Sequence, residues 1–232
     1  EDETQGTLFF DIVRIIREKK PKAFLLENVK NLKSHDRGNT FRVIMKNLRE
    51  GLGYDVHYKV LDASSVVPQH RERIFIVGFR KPMVFEFPEL INKRPKLADV
   101  LEKNVDAKYT LKDGTWNALK RHKEAHSRRG NGFGYTLADT KKIANTLSAR
   151  YYKDGAEILI PQGKKNPRRL TPRECARIMG FPERFKITVS DNQSYRQFGN
   201  AVVIPVVTQI AKEMLRTLRS NKKRITITDF SK

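Results

Sequence analysis

Hydrophobic positions in the first third of the chain switch between helical and strand-like spacing. Apolar side chains recur at helical spacing over residues 7–18 and again over residues 39–53, so each segment predicts a helix. Residues 22–27 form a short apolar run, which is typical of a strand buried on both faces. Residues 54–62 alternate with a period of two and residues 73–79 are strongly apolar, so both predict strands. This order of elements predicts part of an α/β sheet.

Beyond this sheet the pattern changes. Residues 90–168 are polar, rich in lysine and glycine, and contain few periodic runs, which indicates a small separate domain or a long insertion. Helical spacing returns where Thr171 begins a T-x-x-E capping box with Pro172 at the first helical position. A glycine turn followed by a long helix is predicted over residues 199–220. We therefore predict three segments, which span residues 1–88, 89–168 and 169–232.

The net charge of the chain indicates a class of binding partner. The 232 residues carry 47 Lys and Arg against 26 Asp and Glu, a formal charge of +21 spread along the whole chain. Such a surface favours a polyanionic partner, most plausibly nucleic acid, although a ribosomal-type or simply basic protein is the alternative. A single cysteine excludes an internal disulfide framework and a cysteine-rich zinc site, and it favours a cytoplasmic setting. No apolar stretch approaches the ~20 residues of a membrane helix.

Two places combine a predicted strand with residues that could carry chemistry. Glu27 stands at the carboxyl end of its strand, where open α/β sheets place their sites, although a salt-bridged or capping acid is the more common case. Arg71 and Arg73 immediately precede another strand, and alternate residues of an extended segment point the same way. Both guanidinium groups can therefore face one pocket or one phosphate, or they are ordinary surface arginines.

Two glycine-containing motifs suggest ligand binding less strongly. Gly199 and Asn200 are predicted at the start of a helix, where free N–H groups bind anions, although a simple helix start is the more common explanation. The glycine-rich residues 130–134 do not follow a predicted strand, so we reject them as a nucleotide-binding loop.

The remaining candidate ligands and nucleophiles are weaker. His122 and His126 lie four residues apart, as metal ligands on a helix do, but no third ligand accompanies them and we predict no metal site. Cys175 lies near a helix start, yet its neighbours Ile178 and Met179 indicate a packing face. We therefore predict a buried cysteine and not a nucleophile.

Four segments in a fixed order are more specific together than any of them alone. These are LLENVKNL (25–32), PQHRERIFIVGF (68–79), RRLTPRECARIMGFP (168–182) and YRQFGNAVVIPV (195–206). In this order and spacing the chain resembles the carboxyl-terminal portion of a bacterial DNA (cytosine-5) methyltransferase over nearly its whole length. The resemblance implies the carboxyl-terminal half of a Rossmann-like, S-adenosylmethionine-dependent α/β domain plus a small, irregular, β-rich target-recognition domain.

The resemblance also implies catalytic roles. Glu27 corresponds to the acid of the E-N-V motif, which protonates ring nitrogen 3 of a cytosine flipped out of duplex DNA. Asn28 is implied to position the cofactor or the base. Arg71 and Arg73 match the Q-x-R-x-R motif and are implied to touch the carbonyl oxygen of the base and nearby backbone.

Binding roles follow in the same way. Asn200 and Ala201, in the Q-F-G-N motif, are implied to touch S-adenosyl-L-methionine, although the family often has Ser at the second position. The stretch from residue 128 to residue 160 resembles the recognition region of methylases of double-cytosine sites such as CCWGG, CCNGG and CCGG. In that region the candidate DNA contacts are Arg129, Asn131, Arg150, Tyr151, Tyr152 and Lys153.

The sequence also departs from the family pattern. In the family, a nucleophilic cysteine in a Pro-Cys motif and a glycine-rich cofactor loop both precede the E-N-V motif, and these 232 residues contain neither. We therefore expect the chain to need an amino-terminal half or subunit and to be inactive alone. A split enzyme, a truncated gene and a partial sequence all remain open, as do two rival functions: a non-catalytic DNA-binding module and an RNA-binding protein.

Overall fold

The computed structural model describes the backbone of residues 2–132 and 134–228 and the side chains of residues 8–132 and 134–220. Outside these ranges lie Phe133, which belongs to the glycine-rich segment considered above, and the outermost residues of the first and last predicted segments. The helices are α1 (Asp2–Lys19), α2 (Asn39–Lys46), α3 (Asp113–Arg128), α4 (Pro172–Ile178), α5 (Asp191–Asn200) and α6 (Ile204–Thr228). The strands are β1 (Ala23–Val29), β2 (Asp55–Asp62), β3 (Glu72–Phe79), β4 (Ile160–Gln162) and β5 (Lys165–Arg168).

The described residues divide into two compact units. The first unit contains the residues up to Leu61, the segment Glu72–Glu89 and the residues from Gln209 onward. The second unit contains Asp62–Arg71 and Leu90–Thr208. Within the described part of the chain, no helix combines the length and the apolar composition that a membrane crossing requires.

The first unit is built on a three-stranded sheet in the order β1-β3-β2, and its strands lie where the spacing of hydrophobic residues predicts them. β1 runs antiparallel to β3, in a register that pairs Ala23 with Phe79 and Val29 with Arg73. Phe24 pairs with Gly78, and a Cβ atom there would lie 2.1 Å from the Phe24 ring, so this position requires glycine. The hydrophobic core packs α1 and α2 against this sheet through Ile16, Phe24, Phe41, Ile44, Met45, Leu48, Ile74 and Ile76.

The burial predicted for β1 is wrong, and the difference affects the site. Phe24 is the only side chain of β1 that is buried among the described residues, whereas six of the eight residues of β3 are buried. In the described sheet β1 occupies an outer position and β3 the central one. The acid at Glu27 therefore lies on a partly accessible strand.

The second unit is irregular, but it is not rich in β-structure. Its two strands, β4 and β5, contain three and four residues, whereas α3 contains 16 residues and no buried side chain. Its core consists of fully buried side chains, including Tyr151, Tyr195, Leu147, Ile158, Leu170 and Met179.

The start of α4 confirms the predicted capping box. The Thr171 side chain accepts a hydrogen bond from the Glu174 backbone N–H, and the Glu174 carboxylate accepts one from the Thr171 N–H at 2.8 Å. The same carboxylate binds both terminal nitrogens of Arg168 at 2.8 Å, and both side chains are almost fully buried. Glu174 of the capping box therefore caps the helix and also forms a buried ion pair with Arg168.

Candidate active site

Glu27 and Arg73 form an ion pair between two neighbouring strands. Val29 is opposite Arg73 in the register of β1 and β3, so Glu27 is the diagonal neighbour of Arg73 on the same face of the sheet. The Arg73 Nε donates to Glu27 Oε1 at 3.0 Å, and the two side chains keep 18% and 23% of their surface exposed. The β1–β3 register therefore places an acid and a guanidinium together where a ligand can reach both.

Arg73 stays positively charged in this pair. Burial lowers the pKa of the Arg73 guanidinium, and the neighbouring Glu27 carboxylate opposes this shift. Arginine nevertheless stays protonated throughout the physiological range because its ordinary pKa is so high. Arg73 therefore offers permanent N–H donors beside the Glu27 carboxylate.

The residues that flank the pair are arranged differently. Successive side chains of a strand point to opposite faces, so Asn28 is on the other face of β1 from Glu27. The exposed Asn28 side chain accepts a hydrogen bond from the Val29 N–H at 2.8 Å. Lys30 and Glu72 form a further, more exposed ion pair between β3 and the residue after β1. The structure therefore brings Glu27 together with Arg73 but not with Asn28.

Arg71 has a different environment from Arg73. Its side chain is 3% exposed, and its guanidinium donates to the backbone carbonyls of Leu147 at 2.9 Å, Gly199 at 2.8 Å and Ala201 at 2.9 Å. All of these groups belong to the second unit. Arg71 thus joins its own segment to two others of that unit. Its guanidinium contacts backbone carbonyls, whereas that of Arg73 contacts the Glu27 carboxylate and the Glu72 carbonyl.

Gln69 is a buried polar residue that the sequence reasoning missed. The side chain is fully buried, its Nε2 donates to the Ile178 carbonyl at 2.8 Å, and its Oε1 accepts from the Leu147 N–H at 3.1 Å. Gln69 and Arg71 therefore both hold the backbone at Leu147. The available signal was the alternation of long polar side chains at Gln69, Arg71 and Arg73 directly before an apolar strand.

The predicted cofactor residues Asn200 and Ala201 lie at the end of a helix and do not start one. Gly199 and Asn200 are the last residues of α5, and α6 begins only at Ile204, so the prediction that they open a helix is wrong. A Cβ atom on Gly199 would lie 2.3 Å from the Ser148 carbonyl oxygen, so only glycine fits there. Asn200 remains exposed while Arg71 fixes the carbonyls on both sides of it.

The candidate DNA contacts divide into exposed and buried residues. Arg129, Asn131, Arg150 and Lys153 are exposed, Tyr152 is partly exposed, and the Nδ1 of His126 lies 2.7 Å from the side-chain oxygen of Asn131. Tyr151 is fully buried, and its hydroxyl donates to the Ile158 carbonyl at 2.7 Å and accepts from the Leu170 N–H at 2.8 Å. We therefore remove the Tyr151 side chain from the DNA-binding candidates, because it is a core anchor.

Cys175 has the environment of a packing residue. It is fully buried in α4, and burial raises the pKa of its thiol well above the usual range, with a further contribution from the Glu174 carboxylate. A nucleophilic cysteine needs a thiolate that a substrate can reach. Cys175 meets neither requirement.

The sequence of this chain matches one protein family over most of its length. Residues 1–216 match the C-5 cytosine-specific DNA methylases. The chain belongs to this family. It is 52% identical over 229 residues to the type II methyltransferase M1.ScrFI of Lactococcus lactis subsp. cremoris, covering 96% of this chain and 59% of that protein. It is 54% identical over 226 residues to M.SsoII of Shigella sonnei, covering 94% of this chain and again 59% of the relative.

Solved structures agree on the fold of this methylase-family chain. The Entamoeba histolytica methyltransferase EhMeth superposes with a TM-score of 0.68 at 21% identity, over 85% of this chain and 63% of that one. A putative DNA modification methyltransferase encoded within a prophage of E. coli superposes with a TM-score of 0.67 at 22% identity, over 93% and 75%. At these identities the likeness concerns the fold alone.

Proposed function

We propose that this chain supplies the proton donor and the DNA-binding surface of a DNA (cytosine-5) methyltransferase. The observation that carries the proposal is the ion pair between Glu27 and Arg73 across β1 and β3, at 3.0 Å and partly exposed. In this proposal Glu27, which is ionised while it pairs with Arg73, takes up a proton from solvent as the base binds and delivers it to ring nitrogen 3 of a flipped cytosine. Arg73 holds the adjacent carbonyl oxygen and stabilises the negative charge that moves toward it.

The proton transfer matters because cytosine carbon 6 is a poor electrophile. Protonation of the ring nitrogen lets a thiolate add to carbon 6, which makes carbon 5 nucleophilic enough to accept a methyl group. Cys175 is buried, and the 232 residues contain no Pro-Cys pair, so the thiolate in this proposal comes from polypeptide outside them. That polypeptide is either an amino-terminal half of the same protein or a separate subunit.

S-adenosyl-L-methionine supplies the electrophilic methyl group in this chemistry. Asn200 fits a hydrogen-bonding role toward the polar tail of this cofactor, because its amide is exposed while Arg71 fixes the carbonyls of Gly199 and Ala201. The Ala201 side chain offers no hydrogen bond, its N–H donates to the Phe198 carbonyl and its own carbonyl accepts from Arg71, so Asn200 carries the cofactor contact in this proposal. Most of the cofactor site lies outside these residues in this proposal.

Residues 89–168 form the target-recognition domain in this proposal, which reads bases from the major groove. The support is the exposed, basic character of α3 and of the segment from Arg150 to Lys153. A duplex DNA substrate also agrees with the net charge of +21.

Transfer of tritiated methyl groups to duplex DNA tests the proposal directly. The assay compares this chain, an amino-terminal methyltransferase fragment chosen because it bears a Pro-Cys loop, and the mixture of both. We expect transfer only from the mixture, because thiolate and proton donor reside on different pieces. Methyl transfer by this chain alone that persists after Cys175→Ser would refute the proposal that the nucleophile and the proton donor lie on different pieces.

A non-catalytic DNA-binding module is the second candidate, favoured by the same charge of +21. It predicts duplex binding without methyl transfer in any mixture. Both candidates predict affinity that falls by a factor on the order of 10³ or more between about 50 and 200 mM salt if six or more phosphates are contacted. Affinity that does not change with salt would exclude both.

A further inference from the structure

Two buried side chains hold the backbone of Leu147 from both sides. The Leu147 N–H donates to Gln69 Oε1 at 3.1 Å, and the Leu147 carbonyl accepts from Arg71 Nη1 at 2.9 Å. Leu147 is itself fully buried and directly precedes the loop of residues 148–155, which contains three of the accessible candidate DNA contacts. Gln69 and Arg71 therefore fix the position from which this loop leaves the core.

The segment that carries these two side chains is anchored through its own backbone. The Ala144 N–H donates to the Pro68 carbonyl, and the His70 N–H donates to the Ala144 carbonyl, both at 2.9 Å. The Arg71 N–H donates to Asp62 Oδ1 at 3.0 Å. Arg71 therefore reaches its partners from a backbone that is held on both sides.

Arg71 holds a second segment with the same guanidinium group. Its Nη2 donates to the carbonyls of Gly199 at 2.8 Å and Ala201 at 2.9 Å. These residues flank Asn200, whose exposed side chain is the cofactor contact in the proposed function. A planar guanidinium has five N–H donors in a fixed arrangement, so it can bond carbonyls of two segments at once, and the compact ammonium group of lysine does not reproduce this geometry.

The two segments held by Arg71 also touch each other directly. A Cβ atom on Gly199 would lie 2.3 Å from the Ser148 carbonyl oxygen and 2.4 Å from the Ala149 nitrogen, so no side chain separates the two backbones. All of these residues belong to the second unit. Because a close-packed interior transmits displacements, neither segment can shift without affecting the other.

We propose that Arg71 is a positioning residue that couples binding of the cofactor to binding of the target DNA. The inference rests on the proposed function for both ligands and deepens it by naming the residue that links their sites. A ligand that orders one segment lowers the cost of ordering the other, because one group holds both. Arg71 acts in this way through Leu147, Gly199 and Ala201 and touches neither ligand, whereas the Q-x-R-x-R motif implies a contact with the base.

Affinity measurements test this coupling without methyl transfer. The protein is the enzyme reconstituted with an amino-terminal fragment that bears a Pro-Cys loop. The cofactor probe is S-adenosyl-L-homocysteine, which has no methyl group to transfer, and the DNA probe is a short duplex that the mixture methylates. Because coupling between two sites is reciprocal, we expect each saturating probe to tighten binding of the other by the same factor, about fivefold or more.

The unmodified enzyme already separates the inference from the proposed function. Methyl transfer by the mixture, together with probe affinities that do not depend on each other, would overturn the inference and leave the proposed function intact. A mixture that methylates no duplex would overturn the proposed function and the inference with it.

Arg71→Lys and Arg168→Lys are the matched variants. Both replace a buried arginine of the second unit, but the Arg168 guanidinium bonds the Glu174 carboxylate and the Arg169 carbonyl. We expect Arg71→Lys to bring the coupling factor close to one in both directions. Arg168→Lys should lower the unfolding midpoint and leave the factor unchanged. An unchanged factor in Arg71→Lys, or an equal reduction in both variants, would overturn the inference.

Hydrogen exchange of the unmodified, reconstituted enzyme covers the case in which Arg71→Lys does not fold. We expect S-adenosyl-L-homocysteine to slow amide exchange in residues 144–149, and duplex DNA to slow it in residues 198–203, because each ligand then orders the segment assigned to the other. Slower exchange that is confined to each ligand's own segment would overturn the inference.

Discussion

Two of the arginine–glutamate pairs in the described part of the chain have opposite environments. Arg168 and Glu174 in the second unit are 7% and 0% exposed. Their carboxylate also accepts the backbone N–H groups of Glu102 and Thr171, both at 2.8 Å. Arg73 and Glu27 in the first unit are 18% and 23% exposed. The same two residue types therefore form one pair closed to solvent and one pair that a ligand can reach.

The difference shows what each pair is suited to do. Four protein donors surround the Glu174 carboxylate, so its function is complete without a ligand. A buried charge with such partners is costly to break, because removing one partner leaves the other charged and desolvated. In the proposed function, the accessible pair instead supplies the proton donor and the cation that contact the base. We expect changes in the closed pair to affect stability and changes in the accessible pair to affect turnover.

The largest effect is expected for Glu27→Gln. Glutamine keeps the size and a hydrogen bond to Arg73, but it cannot deliver the proton in the same way. In the enzyme reconstituted with an amino-terminal fragment, we expect turnover to fall by about 10²–10⁴-fold while duplex affinity is retained. Methyl transfer under saturating DNA and cofactor measures this loss.

Glu72→Gln is the matched control for that experiment. Glu72 is the residue before Arg73 and pairs with Lys30 at the more exposed end of the strands. We expect turnover within a few-fold of the unmodified enzyme, because an exposed pair contributes little. Near-normal turnover of Glu27→Gln, or an equal loss in both variants, would remove the catalytic role of Glu27.

The closed pair is expected to show the second largest effect. Glu174→Gln leaves Arg168 buried without its carboxylate, which costs about 3–5 kcal/mol of unfolding free energy. Urea unfolding measures this change. Glu183→Gln, which alters the exposed partner of Arg177, is the control and should leave the midpoint unchanged. Similar urea midpoints for both variants would show that the buried Arg168–Glu174 pair contributes no more to stability than the exposed Arg177–Glu183 pair.

The spacing of hydrophobic residues predicted the elements of the first unit correctly, but not how each is buried. Period-two and apolar runs identify strands, yet the exposure of β1 depends on its outer position in the described sheet. The capping box at Thr171 was predictable because all of its partners lie within four residues. Family membership was predictable because four motifs in order carry far more information than any single residue.

Other features depend on contacts between residues distant in sequence. Helix α3 was missed for another reason: it buries no side chain in the described structure, so its sequence has no apolar stripe to detect. The burial of Arg71 and Gln69 depends on carbonyls and N–H groups more than 70 positions away along the chain. Tyr151 and Tyr152 are neighbours with the same side chain. Only the packing of Tyr151 against Tyr195 and its hydrogen bonds to Ile158 and Leu170, which involve distant residues, make it the buried anchor.

A smaller effect is expected for Cys175→Ser. The thiol occupies a fully buried position, and a hydroxyl there without a hydrogen-bond partner costs about 1–3 kcal/mol. Turnover per folded molecule in the reconstituted enzyme should not change, because Cys175 is not the nucleophile. Complete loss of methyl transfer by protein that remains folded would show that this cysteine carries the reaction.

The smallest effect concerns the order in which tyrosines lose their protons. The hydrogen bond from Arg196 lowers the pKa of the exposed Tyr152, whereas burial raises the pKa of Tyr151 and of Tyr195. A raised pKa in the folded state gives stability that is present below the unfolded pKa of about 10 and is lost as pH rises above it. Raising the pH should therefore ionise Tyr152 first, while Tyr151 and Tyr195 ionise together with unfolding.

Ultraviolet absorbance of tyrosinate, followed as pH rises, measures both steps. Tyr152→Phe should remove part of the early, reversible step and leave the late, cooperative step in place. Arg196→Gln should move the Tyr152 contribution to higher pH, because this variant removes both the hydrogen bond and the nearest charge. An early step that is indifferent to Arg196→Gln would show that Arg196 does not act on the Tyr152 hydroxyl.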